Sequence, residues 1–177
     1  MRANRQRRGW RWGPVRSLCR ASSEIESVVV EHMNLKLVSV VAFIILVLAM
    51  ICLLLVHSLF GRGPVAITLQ VVAVLLMLWA RITFGRRSFN AGANPTAGGL
   101  VTSGPYRYLR HPIYVAILLF TLTGIISNWN LVSAIAGIVI IVAVFARMLC
   151  EETLLRVRYP EYTEYSRSAK RLVPFLY

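Results

Sequence analysis

The sequence predicts an all-α, polytopic membrane protein of about four transmembrane helices, and three observations predict it. Hydrophobic residues make up 57% of the chain while the formal net charge is +13, so apolar and basic residues must be segregated rather than mixed. Four runs, residues 37–56, 64–84, 112–126 and 131–149, are almost free of charge, and roughly 20 apolar residues in a helix cross a bilayer core. Threaded through four crossings, the basic residues of 2–36, Arg86, Arg87, Arg107, Arg110 and those of 147–171 share one side, and the other carries only Arg62. The positive-inside rule makes the first side cytoplasmic, together with both termini.

Residues 1–34 form a basic cytoplasmic tail, expected to lack fixed structure. The apolar run after it is too long for a signal-peptide core and no small-residue cleavage site follows, so the tail is not read as a signal. Its arginines suit anionic headgroups of membrane lipids rather than nucleic acid. Met33 directly precedes the first helix, and no function is assigned to the segment before it. Residues 35–84 hold helices one and two.

Residues 85–177 form the second half: a cytoplasmic loop, a transmembrane hairpin over 112–149 and a cytoplasmic tail. The loop opens on the small-residue tract 90–99, whose glycines lack nucleotide-binding spacing and read as a linker. Helix three starts at Pro112, whose fixed φ and missing amide suit a first helical position. Its remaining free amides and its dipole face the polar stretch Gly104-Pro105-Tyr106-Arg107-Tyr108-Leu109-Arg110-His111, an arrangement suited to an anionic group. At 112–126 this helix is shorter than about 17 residues and needs a tilt, a thinned bilayer or apolar residues from the following turn. The Ser127-Asn128-Trp129-Asn130 link is so short that helices three and four must be antiparallel. Helix four runs past the bilayer through Glu151-Glu152-Thr153-Leu154-Leu155, stops before Pro160 and restarts across 161–165.

Cys19, Cys52 and Cys150 are too scattered for a metal knuckle or a disulfide framework. His32, His57 and His111 share no ligand spacing, so no metal site is expected. Glu151 and Glu152 stand where helix four leaves the membrane. By spacing they fit a solvated helix end paired with Arg147 and Arg156, or carboxylates held there against the helix dipole for a purpose. Tyr106, Tyr108 and Tyr114 likewise fit either a site or an interfacial aromatic belt.

Taken together and in order, Leu100-Val101-Thr102-Ser103-Gly104-Pro105-Tyr106, the Arg110-His111-Pro112-x-Tyr114 box, Glu151-Glu152, Tyr159-Pro160-Glu161-Tyr162-x-x-Tyr165 and Val173-Pro174-Phe175 resemble the isoprenylcysteine carboxyl methyltransferase family over residues 64–177. The resemblance implies a membrane enzyme that uses S-adenosylmethionine, releases S-adenosylhomocysteine and binds the cofactor in a cytoplasmic pocket formed by the C-terminal half. It places the cofactor against Leu100, Val101, Tyr106, His111, Pro112, Ile113 and Tyr114, with Glu151 or Glu152 on one of its polar groups. It sets Arg147 as the catalytic, substrate-facing residue, against the acceptor's carboxylate. Tyr108 stays with the aromatic belt.

Eukaryotic members have more transmembrane helices, so this chain resembles the shorter, prokaryotic-like core. The implied reaction is carboxyl O-methylation of an isoprenyl-thiol or prenylcysteine-like lipophilic substrate arriving from the bilayer. Phospholipid amine methyltransferases and NADPH-dependent sterol reductases carry a similar Arg-His-Pro-x-Tyr box. Phospholipid amine N-methylation is therefore the first alternative, and a sterol-type reductase or a non-catalytic membrane scaffold are further ones. A carboxylate with a pKa near ~4 is already ionised at neutral pH, so carboxyl methylation requires no general base.

Overall fold

The computed structural model describes residues 13–85 and 99–172, with side chains described from residue 33. Residues 90–98 of the glycine-rich tract and the Val173-Pro174-Phe175 motif lie outside the described residues. The chain divides into two units, Met1–Asn34 and Leu35–Tyr177. Helix α1 is assigned as Gly13–Leu55, starting within the segment expected to lack fixed structure. Its part from Met33 to Leu55 is long and apolar enough to cross a membrane. Then come α2 (Pro64–Phe84), a 3-10 turn (Gly104–Arg107), α3 (Pro112–Ser127), α4 (Leu131–Arg158) and α5 (Tyr162–Ser168).

Three helices meet the length and hydropathy for a membrane crossing, and α3 is a shorter apolar helix. At 1.5 Å per residue its 16 residues rise about 24 Å, against a hydrocarbon core of about 30 Å. Its placement explains how so short a helix is accommodated. Ala116, Thr121, Thr123, Gly124 and Ile125 of α3 are buried, whereas α1, α2 and α4 carry long series of exposed Leu, Ile and Val side chains. The bilayer is met by the outer helices, and α3 is largely sheltered by protein.

Leu46, Ala49 and Leu53 of α1, Tyr114 and Ile125 of α3, and Ala136, Ile140, Ala143, Val144 and Met148 of α4 share one core cluster. Their three- and four-residue spacing is the buried stripe of a helix. Small residues set the closest approach: a Cβ on Gly124 would collide with the Leu59 carbonyl oxygen.

That approach belongs to a neutral polar seal at one end of the bundle. The Ser58 hydroxyl donates to the Asn128 carbonyl at 3.0 Å and accepts from Asn130 Nδ2 at 2.9 Å. Gln70 Nε2 donates to the Leu59 and Phe120 carbonyls at 2.9 and 3.1 Å. Asn130 and Ser133 form a reciprocal capping box that starts α4, satisfying amides a helix start leaves open. Within the residues described, the ion pairs all lie at the opposite end, among Arg110, His111, Arg147, Glu151, Glu152, Arg156 and Arg171.

Candidate active site

The charged end is assembled by three chain segments. Gly104 sits at φ 57°, and a Cβ there would fall 2.6 Å from the Thr83 hydroxyl, so glycine is what lets the 3-10 turn fold down on the end of α2. The turn buries Tyr106, whose ring lies 5.5 Å from that of Phe84. Its carbonyl accepts from the Tyr165 hydroxyl at 2.7 Å. Burial foremost, with Glu151 nearby, pushes the Tyr106 phenol above its ordinary range, so it is neutral at physiological pH.

Beyond the turn, Leu109 and Lys170 form a parallel bridge. The Lys170 amide donates to the Tyr108 carbonyl at 3.0 Å, and the Arg110 and His111 amides donate to the Lys170 and Arg171 carbonyls at 2.6 and 3.3 Å. Arg110 Nε adds a bond to the Ala169 carbonyl at 3.0 Å. The segment after α5 is thereby laid alongside the residues that open α3.

Glu152 is the hub of this end, with 4% of its side chain exposed. Its Oε1 accepts from Arg110 Nη1 at 2.9 Å and Arg171 Nε at 3.2 Å, and lies 3.3 Å from His111 Nε2. Its Oε2 accepts from Arg171 Nη2 at 3.0 Å, and Arg156 stands one helical turn on, at 3.8 Å. The fork-to-fork pairing with Arg171 is the strong, oriented form of such a bond. With both oxygens engaged by protein cations, Glu152 is a structural tie between α4, the α3 start and the segment after α5.

Glu151 is placed differently, with 23% of its side chain exposed. One oxygen accepts from the Tyr114 hydroxyl at 2.5 Å and lies 3.4 Å from Arg147 Nη2. The other lies 3.9 Å from His111 Nδ1. His111 and Tyr114 stack at 5.6 Å. Arg147 is buried inside the bundle: its Nε donates to the Tyr114 hydroxyl at 2.8 Å, its Nη1 to the Ser39 carbonyl at 3.1 Å, and its guanidinium lies 4.9 Å from the centre of the Phe43 ring. Tyr114 therefore bridges acid and guanidinium, and α1 supplies the wall behind the latter.

The structure brings Tyr106, His111, Pro112, Ile113, Tyr114, Arg147, Glu151 and Glu152 to one end of the bundle. Leu100 and Val101 are half-buried in the irregular stretch before the turn. Tyr108 is exposed. The anion site expected at the start of α3 is narrower than the sequence suggests. The Tyr114 and Val115 amides both bond the His111 carbonyl, and Pro112 has no amide, which leaves Ile113 as the open donor of the first turn among the described residues. Arg171, Ser39 and Phe43 went unmarked in the sequence: the arginine stands in a generally basic tail, and the α1 pair falls in an apolar run with no motif around it. Among the described residues no three His, Cys, Asp or Glu side chains gather as metal ligands.

Histidine, tyrosine, two glutamates and a buried arginine thus converge within the stretch that a family comparison identifies, since residues 61–162 match the phospholipid methyltransferase family. The chain belongs to that family. Within this methyltransferase family, the resemblance read from the motifs is supported by Protein-S-isoprenylcysteine O-methyltransferase A of Arabidopsis thaliana, 39% identical over 80 residues, 44% of this chain and 41% of the relative. Cobalt-zinc-cadmium resistance protein CzcN of Cupriavidus metallidurans is 31% identical over 123 residues, 64% of this chain and 51% of the relative. The chain spans about half the length of these curated relatives or less. No solved structure matches the chain. The family is one of membrane methyltransferases, in keeping with the apolar helices of the fold.

Proposed function

We propose that the protein transfers a methyl group from S-adenosylmethionine to the carboxylate of a lipophilic, prenyl-thiol type acceptor. The observation that carries this reading is the Glu151–Tyr114–Arg147 arrangement, in which a partly exposed carboxylate and a buried guanidinium share one tyrosine hydroxyl.

The residues fit the cofactor by their chemistry. Glu151 offers a carboxylate to its ammonium, since Glu152 is already engaged on both oxygens. The open Ile113 amide, at the positive end of α3, suits its carboxylate. The rings of Tyr106, His111 and Tyr114 provide faces that attract a sulfonium cation, with Pro112 holding the helix start and Leu100 and Val101 adding apolar contact. When bound, the cofactor supplies a methyl group on a cationic sulfur, open to in-line attack by an oxygen already ionised.

The chain's work is then to hold and desolvate that oxygen without leaving its charge unpaired. Arg147 suits it, as a fixed fork of donors in a low-dielectric surround. Four arginines, at 110, 147, 156 and 171, ring two glutamates here, a positive surplus that favours an anionic acceptor. The match to the phospholipid methyltransferase family favours a phospholipid amine as the second reading.

The test is calorimetric titration of detergent-purified protein with S-adenosylhomocysteine and, separately, with NADPH. Saturable S-adenosylhomocysteine binding that weakens about tenfold or more in Glu151→Gln is expected, from loss of one charge-assisted hydrogen bond. Binding of NADPH alone points to the reductase, binding of neither to a scaffold, and unchanged affinity in a folded Glu151→Gln returns that glutamate to an ordinary helix surface.

Orientation belongs to the same proposal: the charged end faces the cytoplasm. Single cysteines at Gly63 and Asn128 should react with an impermeant thiol reagent on intact cells, and one at Ser168 only after permeabilisation. Labelling of the Ser168 position from outside would reverse the assignment.

A further inference from the structure

Ser39 is an anomaly in a helix otherwise suited to lipid and core. It is fully buried, and its hydroxyl has no hydrogen-bond partner. A buried donor left unmade is costly, and a serine or threonine in a helix ordinarily avoids that cost by bonding a carbonyl one turn back, as Thr68, Thr83, Thr121, Thr123 and Thr153 do in this protein. Ser39 does not, and it stands on the one residue that the proposed reaction needs most. Its carbonyl accepts from Arg147 Nη1 at 3.1 Å, and Phe43, one turn further along the same face of α1, lies under the same guanidinium at 4.9 Å. An unpartnered hydroxyl, a buried guanidinium and an aromatic face thus occur together.

These residues also sit outside the part of the chain the family comparison matches, residues 61–162. The match covers Tyr114, Arg147, Glu151 and Glu152, whereas Ser39 and Phe43 are contributed by α1. The matched part thus holds the ionic groups of the site, and α1 adds a hydroxyl and an aromatic face beside them.

We propose that Ser39 is a specificity-determining residue of the acceptor site, its hydroxyl donating to the carboxylate that Arg147 pairs with, so that an acceptor with two oxygens is held by guanidinium and hydroxyl together. This rests on the carboxylate-acceptor reading above. A site built to bond an oxygen discriminates strongly against analogues lacking it, because the buried donor is then left unpaired.

The experiment compares wild type, Ser39→Ala and Ser39→Thr with 3-(farnesylthio)propanoic acid as methyl acceptor, ethyl farnesyl thioether as a competitive ligand of the same chain without the carboxyl group, and S-adenosylhomocysteine. For Ser39→Ala the KM for the acid should rise about tenfold, the worth of one hydrogen bond to a charged group. The kcat, the affinity for the ethyl thioether and that for S-adenosylhomocysteine should change less than about twofold, while thermal stability is equal or higher because an unpaired hydroxyl is gone. Ser39→Thr, which keeps the hydroxyl, should restore KM wherever it folds.

Alanine fits wherever serine fits, so if Ser39 serves only to let α1 approach α4, Ser39→Ala will leave KM for the acid unchanged and the proposal is wrong. An equal loss for the acid and the ethyl thioether also overturns it, since that reports general damage to the site. If wild type binds S-adenosylhomocysteine but methylates no carboxylate, the acceptor reading itself has failed, and Ser39 with it.

Discussion

Glu152→Gln is expected to destabilise the protein by about 3 kcal/mol or more, the cost typical of breaking a buried ion pair by removing one partner. The substitution keeps the shape and removes the charge, so Arg110, Arg171 and His111 converge on a neutral amide whose own N–H groups face guanidinium donors. The damage should spread along the chain in a recognisable way. Because Arg171 is also held through the backbone pairing of 108–111 with 170–171, the segment after α5 should become open to protease in detergent while the apolar helices persist. Glu151→Gln is the internal control: with 23% of its side chain exposed it should lower thermal stability far less. Equal melting temperatures for wild type and Glu152→Gln would show that Glu152 is not the tie described above.

Arg147→Lys is expected to lower kcat/KM for a prenyl-thiol carboxylic acid by about a hundredfold, a loss typical of a reacting group misplaced by about 1 Å. Lysine keeps the charge, but one ammonium cannot reproduce the separate Nε bond to Tyr114 and Nη1 bond to the Ser39 carbonyl together with a fork for the acceptor. Affinity for S-adenosylhomocysteine should change only a few-fold, since Glu151 keeps its 2.5 Å bond to Tyr114. A phosphatidylethanolamine acceptor provides the decisive contrast. An enzyme that methylates that amine alone, with Arg147→Lys fully active, would replace the carboxylate reading with the phospholipid one.

The apolar runs and the turn residues between them made most of the fold legible in the sequence. Pro64, Pro112 and the Asn130–Ser133 cap place three helix starts where local chemistry dictates, and Pro160 follows the end of α4 by two residues. The shelter of α3 was not legible, because its buried and exposed neighbours are equally apolar and only packing distinguishes them. At the site, the Arg-His-Pro-x-Tyr box and the glutamate pair announced themselves by being charged residues beside lipid-length runs. Which glutamate does which work was hidden, since adjacent positions on α4 point about 100° apart and their partners come from residues 110, 114 and 171. The same distance in sequence hid Ser39, whose significance lies in a contact 108 positions away.

The parallel pairing of residues 108–111 with 170–171 sets an order of assembly. Synthesis proceeds from the N-terminus, so α1, α2 and α3 are made, and free to enter the membrane, while His111 still lacks the carboxylates and backbone acceptor that fix it. Those arrive only with α4 and the segment beyond it, the last of them at Arg171. Until the ribosome has passed that residue, the helices are in place but the ring of charges is unclosed. A nascent chain therefore has no finished ring of charges until Arg171 has joined it.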